Sequence, residues 1–518
     1  MNPKFLCKNN KIYMFDRTSG VLIHPTSLPG RYGIGDLGDS AYRLVDFLVS
    51  AGQSLWQILP PGPTGYGDSP YQCFSAFAGN PLMVSPDFMV RDGFIPAERM
   101  PFVPDFPRNK VDYGWVIYWK NQLFENAHSW FLESATEENK KAFKAFCADR
   151  AWWLDDYALF MALKKHHVAQ DGGVWNTWPA DIRDRKPKAM KAWKKDLSSE
   201  ISLVKFRQFL FFKQWLDLKG YANSKGIKII GDMPIFVAFD SADVWANPDL
   251  FYLDKEGNAE VIAGVPPDYF SETGQRWGNP LYRWDKMKKN GYTWWTKRID
   301  ASFELTDIMR IDHFRGFEAY WEIPASEPTA IVGEWKKGPG MDLFKALKKN
   351  LGDLPIIAED LGVITPEVEK LRDDAGFPGM KILQFAFGGD QNSAFLPHAF
   401  QKECVVYTGS HDNETTLGWY QNASDQEQDH ARRYLARDGH DIVWDLIRLA
   451  HASVAVMSVI PMQDLMQLDN AARMNFPGKT GGYWSWRYTD EMLTEFIGHR
   501  LRGLTELYDR LPKPAGGD

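Results

Sequence analysis

Short apolar runs bounded by turn residues recur along the chain and predict buried strands. Runs of this kind, flanked by glycine or proline, are typical of parallel β-strands that are covered on both faces. Eight of them lie at residues 20–24, 54–59, 227–231, 308–311, 355–358, 380–385, 403–407 and 454–460. The pattern therefore predicts one sheet of eight strands.

Segments with apolar residues at helical spacing lie between several of these runs. They cover residues 39–51, 136–170, 198–224, 341–351 and 489–510, and Thr365-Pro366 begins another helix. The first strand, the first helix and the second strand form a βαβ unit, which indicates parallel pairing. Eight strands alternating with helices predict an α/β protein built on a (β/α)8 TIM barrel.

Composition and charge narrow the class of protein. The chain of 518 residues has a formal net charge of −7, which gives no basic footprint for nucleic acid. Its four cysteines are scattered without a CxxC pair, so neither a zinc site nor a disulfide framework is indicated. The N-terminal residues carry charges throughout, and no later run is long and apolar enough for a membrane span. We therefore expect a soluble cytoplasmic protein.

Aromatic residues are unusually frequent, with 21 Trp, 20 Tyr and 33 Phe. Most of them must serve core packing, since aromatic side chains carry large buried areas. Flat aromatic faces also stack on the apolar faces of sugar rings. We therefore assign a minority of these residues to a carbohydrate-binding surface.

Three carboxylates lie just past predicted strands and indicate where chemistry occurs. Asp312 and Glu359 each directly follow an apolar run, and Asp412 follows another run by a few residues. In a barrel of parallel strands, polar groups at the carboxyl ends of the strands converge on one pocket. Two facing carboxylates are what glycosidic bond chemistry requires, one as nucleophile and one as acid/base. Each acid taken alone could instead cap a helix or pair with a base, so the prediction depends on their recurrence.

A guanidinium and two imidazoles accompany these acids. Arg310 lies two residues before Asp312, so both side chains share one face of the strand. The guanidinium is expected to lower the pKa of the carboxyl, which suits a nucleophile. His313 and His411 directly adjoin Asp312 and Asp412. A purely structural Arg–Asp pair would produce the same local pattern.

Glu359 has a second acid, Asp360, as its neighbour. Burial and a nearby like charge both raise a carboxyl pKa, which suits a proton donor at neutral pH. Asp360 could equally be the working acid by position alone. We prefer Glu359 because it directly continues the register of the strand.

Three other interpretations are weaker. The acids with His313 and His411 could hold a divalent metal ion, but no HExxH or EF-hand pattern is present. The pair His411-Asp412 resembles part of a hydrolase triad, but no GxSxG motif supplies a serine. Residues 33–38 match GxGxxG, but prolines separate them from the preceding strand and no acid follows about 20 residues later. We expect no metal and no cofactor.

Two long stretches interrupt the alternation of strands and helices. Residues 66–130 are rich in proline, glycine and aromatic residues, and we predict that they are loop-like. We interpret residues 66–220 as largely an insertion of loops and helices, and residues 240–300 as a second insertion near the active site. Residues 1–518 then form a single catalytic barrel, since about 250 residues suffice for the barrel itself.

A series of motifs carries a family resemblance over most of the chain. In order they are HPTSLPGRYGIGDLG, YGDSPYQ, GDMPIFVA, PPDYFSETGQRWGNPLY, MRIDHFRG, AEDLG, GSHDNETT and ARMNFPG. In these motifs and their spacing the chain resembles the amylomaltases, also called 4-α-glucanotransferases or disproportionating enzymes, of glycoside hydrolase family 77 in the α-amylase clan. The resemblance implies a (β/α)8 barrel that lacks the separate C-terminal β-domain of α-amylases.

The resemblance also implies roles for particular residues. Asp312 would be the nucleophile that forms a covalent glycosyl–enzyme intermediate, Glu359 the acid/base, and Asp412 the residue that holds sugar hydroxyls and favours the distorted ring. Tyr71 and Trp277 look like stacking residues. Phe239 departs from the family, which is expected to carry an acid there often. The substrate-binding residues implied are Arg310, His313, His411, Asp232, Tyr71, Ser69, Trp277, Gln275 and Asn475.

The implied reaction is retaining transfer of an α-1,4-glucan segment from a donor to the 4-hydroxyl of an acceptor glucan or glucose. The substrates are then α-1,4-glucans and malto-oligosaccharides, without nucleic acid or membrane as partner. The aromatic-rich segments 66–90 and 240–285 are candidates for the acceptor wall. An α-1,4-glucan hydrolase of the same clan would use the same acids. A non-catalytic glucan-binding protein would explain the aromatic residues but not the acids.

Overall fold

A barrel of parallel strands forms the centre of the molecule. The computed structural model describes residues 15–168, 173–267, 271–389, 393–479 and 481–513. Within these residues, one sheet contains eight strands, which we number β1 to β8 in chain order: Thr18–Leu22, Leu55–Gln57, Lys228–Pro234, Ile308–Asp312, Ile356–Ala358, Gly379–Ile382, Cys404–Tyr407 and Met457–Pro461. Each predicted strand coincides with one of these, and the predicted TIM barrel is confirmed.

The strand order follows the chain order around the barrel. Strands β1 to β5 pair in succession, β6 pairs with β7, and β8 pairs with both β7 and β1. At the remaining junction, between β5 and β6, the Ala358 N–H donates to the Pro378 carbonyl at 2.9 Å. Strands β1 and β2 approach closely at Gly20, where a Cβ atom would lie 2.3 Å from the Leu55 carbonyl oxygen. Only glycine fits at that position.

Helices surround the barrel and fill the long connections. The described helices are Asp39–Ser50, Pro86–Arg91, Tyr113–Ser134, Glu137–Asp149, Ala151–Val168, Ala180–Arg183, Pro187–Asp196, Ser198–Ser224, Ala242–Ala246, Trp284–Lys289, Thr293–Leu305, Met341–Leu351, Pro366–Ala375, Thr416–Asn422, Asp425–Leu435, Ile442–Ala452, Met462–Leu465 and Glu495–Leu507. The predicted helices at 198–224 and 341–351 match these bounds. The helical region predicted at 136–170 is two helices that meet at Arg150. No helix in the described part of the chain is long and apolar enough to cross a membrane.

The loop predicted for residues 66–130 is wrong over its last third. A helix of 22 residues, Tyr113–Ser134, begins where the Asp112 carboxylate accepts the Trp115 N–H at 3.0 Å. Its buried face includes Val116, Trp119 and Leu123, at the spacing of one helix face. The frequent aromatic residues of this segment obscured that periodicity. The strand predicted at 380–385 also ends earlier, because a 3-10 turn begins at Leu383.

A second, antiparallel sheet adjoins the barrel and was not predicted. Its strands lie in the order Gln275–Pro280, Val261–Val265, Ala319–Pro324 and Glu334–Lys337. These segments are short, and the central pairing of Val261–Val265 with Ala319–Pro324 joins residues far apart in sequence, so local periodicity does not reveal the sheet. The sheet matters for function because its first strand carries two predicted substrate-binding residues, Gln275 and Trp277.

Candidate active site

The carboxyl ends of neighbouring strands bring the predicted acids to one level of the barrel. In the pairing of β3 with β4, Asp232 is the partner of Arg310. In the pairing of β4 with β5, Ile311 is the partner of Ala358, so Asp312 and Glu359 follow at adjacent positions. The Glu359 N–H donates to the Ile311 carbonyl at 3.0 Å and continues this register. The geometry thus places both acids at the same edge of the sheet.

Arg310 links two of the acids. Its Nη1 donates to both carboxylate oxygens of Asp232, at 2.7 and 2.6 Å, and to Oδ1 of Asp312 at 3.1 Å. Its Nε donates to the Sδ of Met380 at 3.2 Å. The side chains of Arg310 and Asp232 are 4% and 0% exposed. A buried charge requires such partners, so the arrangement holds a cation firmly beside Asp312.

The pKa of Asp312 is raised to about 6. Burial is the main cause, Arg310 opposes it, and the charge of Asp232 adds to it. Arg310 therefore acts in the predicted direction, but the predicted net lowering of this pKa is wrong. The sequence could not show how far the strand end is withdrawn from water.

Glu359 is held by two backbone donors. The His313 N–H donates to Oε2 at 2.6 Å and the Leu361 N–H donates to Oε1 at 2.8 Å. Burial and then the charge of Asp312 raise the pKa of Glu359 to about 8, against the effect of Arg310 and of these two hydrogen bonds. At neutral pH the group is therefore protonated and able to donate. The predicted rise is confirmed.

His313 adopts a left-handed backbone conformation, with φ of 55°, to present its N–H to Glu359. This conformation is costly for a residue other than glycine and is concentrated at functional sites. The Nε2 of His313 is buried and has no hydrogen-bond partner among the described residues. Burial lowers the pKa of this imidazole to about 3, so it is neutral. A bound ligand or solvent can satisfy that nitrogen.

Asp360 is turned away from these groups. Its carboxylate accepts the Met380 N–H at 2.7 Å and pairs with Arg372. The Asp360 carboxylate therefore connects β5 to β6, and its oxygens are used by these two contacts. The structure favours Glu359 over Asp360 as the group that faces Asp312.

Asp412 lies beyond β7 on a loop shared with His411. Its Oδ1 accepts from Asn475 Nδ2 at 2.6 Å, and its Oδ2 lies 3.3 Å from His411 Nε2. Burial alone would raise the pKa of Asp412, but His411 and Asn475 outweigh it and lower that pKa. Burial likewise opposes protonation of His411, and the charge of Asp412 outweighs it, so the pKa of His411 is raised. Each side chain therefore favours the charged form of the other.

Tyr71 connects the two sides of the site. Its hydroxyl donates to Asp232 Oδ2 at 2.7 Å and lies 2.8 Å from His411 Nε2. Its ring stacks on that of His411, with centroids 5.2 Å apart. Ser69 accepts the Tyr71 N–H at 3.2 Å, so its hydroxyl shapes the turn that carries Tyr71.

Trp277 packs edge-on against His313, with ring centroids 4.8 Å apart. Its indole N–H donates to Gln275 Oε1 at 3.2 Å. The antiparallel sheet thus places Trp277 beside His313, with Gln275 hydrogen-bonded to Trp277. With these two, the structure brings every predicted site residue into one connected set of contacts.

Sequence reasoning missed two residues of this set. Trp484 packs against Tyr71 and His411, with centroids at 5.7 and 5.9 Å, and has φ of 64°. Arg473 donates to the Asp412 carbonyl at 2.7 Å. Trp484 follows a glycine pair and Arg473 lies in a quoted motif, but neither position indicates contact with a distant strand end. Among the described residues, no group of three or more His, Cys, Asp or Glu side chains is placed to hold a metal ion.

Known proteins with the same architecture are similar over almost the full length. A family model described as 4-alpha-glucanotransferase, Glyco_hydro_77, matches residues 23–494. The chain is 52% identical to the 4-alpha-glucanotransferase of Thermus thermophilus over 504 residues, which is 96% of this chain and 99% of that protein. It is 51% identical to the 4-alpha-glucanotransferase of Synechocystis sp. over 95% of this chain and 98% of that protein. The amylomaltase of Streptococcus agalactiae, solved in complex with acarbose, superposes with a TM-score of 0.92 at 41% identity, covering 96% and 100% of the two chains.

Proposed function

Since this chain belongs to the 4-alpha-glucanotransferases of glycoside hydrolase family 77, we infer that it cleaves an α-1,4 bond in a glucan and transfers the donor segment. The acceptor is the 4-hydroxyl of another glucan or of glucose. The enzyme is thus a glycosyltransferase that acts on α-1,4-glucans, including malto-oligosaccharides.

In the first half of the reaction, a carboxylate oxygen of Asp312 attacks the anomeric carbon. The bond from that carbon to the glycosidic oxygen breaks, and Glu359 gives its proton to the departing oxygen. The pKa of about 8 supports this role, because Glu359 carries the proton while Asp312 is ionised. A retaining mechanism requires the two carboxyl groups to be about 5–5.5 Å apart.

In the second half, Glu359 is ionised and accepts the proton of the incoming 4-hydroxyl. The acceptor oxygen displaces Asp312 and restores the original configuration at the anomeric carbon. Asp412, kept ionised by His411 and Asn475, accepts hydrogen bonds from sugar hydroxyls and stabilises the positive charge that develops on the ring.

Transfer requires that an acceptor sugar outcompete water. Oriented binding can supply effective concentrations of about 10⁵ M or more, far above the ~55 M of water. We propose that the insertions 66–220 and 240–300 build this acceptor side, with aromatic segments 66–90 and 240–285 as its wall.

We also propose a cytoplasmic location, since Cys73, Cys147 and Cys404 are free thiols that suit a reducing compartment.

The observation that carries this function is the placement of Asp312 and Glu359 at the adjacent ends of β4 and β5, with Arg310 beside Asp312. Incubation with maltotriose, followed by chromatography, tests it. A transferase yields glucose together with maltopentaose and longer chains. Glucose and maltose without longer products would identify a hydrolase instead, and addition of excess glucose as acceptor would then leave the products unchanged.

A further inference from the structure

Residues beyond β8 form hydrogen bonds with the loop that carries His411 and Asp412. Asp464, which is 1% exposed, accepts hydrogen bonds from the hydroxyls of Thr408 and Thr416 and from the Thr416 N–H. Thr408 is the first residue of the loop, and Thr416 begins the helix that follows it. One buried carboxylate therefore closes the loop at its base.

The C-terminal side of the loop is also held by hydrogen bonds. Asn470 accepts the Thr415 N–H at 3.2 Å and donates to Glu414 Oε1 at 2.6 Å. At the tip, the N–H and the hydroxyl of Ser410 donate to Asn413 Oδ1 and close a turn around Asp412. The orientation of Asp412 at that tip depends on what holds residues 411–413.

Arg473 supplies that restraint. Its Nη2 donates to the Asp412 carbonyl and its Nε donates to the Asn475 carbonyl, both at 2.7 Å. Asn475 in turn donates its side-chain amide to Asp412 Oδ1 at 2.6 Å, and its N–H donates to the His411 carbonyl at 3.1 Å. The guanidinium also lies over the Phe476 ring, 4.3 Å from its centroid. The planar guanidinium of Arg473 bridges the carbonyls of Asp412 and Asn475. It thereby fixes the distance between the loop tip and the Asn475 amide, which orients the Asp412 carboxylate.

We propose that Arg473 is a positioning residue, which acts on the reaction through Asn475 and Asp412. The inference rests on the proposed transferase function. Asp412 contributes most when charge develops on the donor ring, so its misplacement affects the transition state more than substrate binding. Replacement by Arg473→Met should therefore lower kcat about 10- to 100-fold, the range expected when a catalytic group moves by about 1 Å. KM should change less than about threefold.

A double-mutant cycle tests the route of this effect. Arg473→Met is measured alone and in an Asp412→Asn background, with α-maltotriosyl fluoride as a donor whose good leaving group keeps slow variants measurable. If Arg473 acts through Asp412, its loss should cost less than about threefold in the Asn background. An equal cost in both backgrounds would overturn the proposal, because the effect of Arg473 would then be independent of Asp412.

Arg17→Met is the matched control. Arg17 is also half-buried, and it donates to the carbonyls of His451, Ser453 and Tyr508 near the start of β1, at the opposite end of the barrel. This control should lower the melting temperature without changing kcat. A loss of kcat in Arg473→Met no larger than in Arg17→Met would reduce Arg473 to a structural role and refute the proposal. Failure of the wild-type enzyme to elongate maltotriose would instead refute the transferase function itself.

Discussion

Removal of the Asp232 charge should move the acid limb of the pH profile to lower pH. Asp312 must be ionised to attack, and its pKa of about 6 sets the lower limit of activity. Asp232 is one of the charges that raise this pKa. In Asp232→Asn the neighbouring negative charge is removed, and Asp312 is then the carboxylate that the Arg310 guanidinium pairs with. Asp312 then loses its proton at lower pH, so activity persists further into the acid range.

The size of this shift follows from the shared donor. Arg310 Nη1 lies 2.6 Å from Asp232 Oδ2 and 3.1 Å from Asp312 Oδ1. The two oxygens are therefore no more than about 6 Å apart, and at an effective dielectric constant of about 20 their charges interact by about 3 kcal/mol. This corresponds to roughly two pKa units. Once the Asp232 charge is removed, water that enters the site screens the remaining charges and reduces the effect. We therefore expect the acid limb to move by about one pH unit to lower pH.

The assay is kcat/KM for transfer from maltotriose between about pH 4 and about pH 10, since this ratio reports ionisations of the free enzyme. The wild-type profile should be bell-shaped, with limbs near 6 and 8 that belong to the coupled Asp312–Glu359 pair. The alkaline limb is an internal control, because Asp232 is not among the main influences on Glu359. An acid limb that stays in place or moves to higher pH in Asp232→Asn would show that Asp232 does not raise the pKa of Asp312.

Three further outcomes are expected. Asp312→Ala should nearly abolish turnover while glucan binding persists, as measured by kinetics and calorimetry; turnover near the wild-type rate would contradict the nucleophile assignment. Glu359→Gln should still form the glycosyl intermediate from a donor with a very good leaving group, and mass spectrometry that finds no label on Asp312 would contradict the acid/base role. Gly79→Ala should lower the free energy of unfolding by about 1–3 kcal/mol, because its Cβ would lie 1.9 Å from the Phe211 ring. Gly220→Ala, in open space within a helix, should raise it by about 0.5–1 kcal/mol in the same denaturation assay, and changes of equal sign would contradict the packing argument.

Local patterns were enough to locate the barrel. A strand such as Cys404–Tyr407 is buried along its whole length, so its apolar run is visible in the sequence. The helix Tyr113–Ser134 was missed because aromatic residues on both faces hide its period. The antiparallel sheet was missed for a different reason, since the pairing of Val261–Val265 with Ala319–Pro324 depends on residues far apart in the chain.

The barrel strands and the acids that follow them are visible in the sequence, because both depend on periodicity and position within a few residues. The pKa values of those acids depend on the folded chain. Burial and Coulomb interactions depend on distances in space, so the like charge that raises the pKa of Glu359 comes from Asp312 on the neighbouring strand and not from the adjacent Asp360. For the same reason only the folded chain shows that Arg473 holds the loop of Asp412.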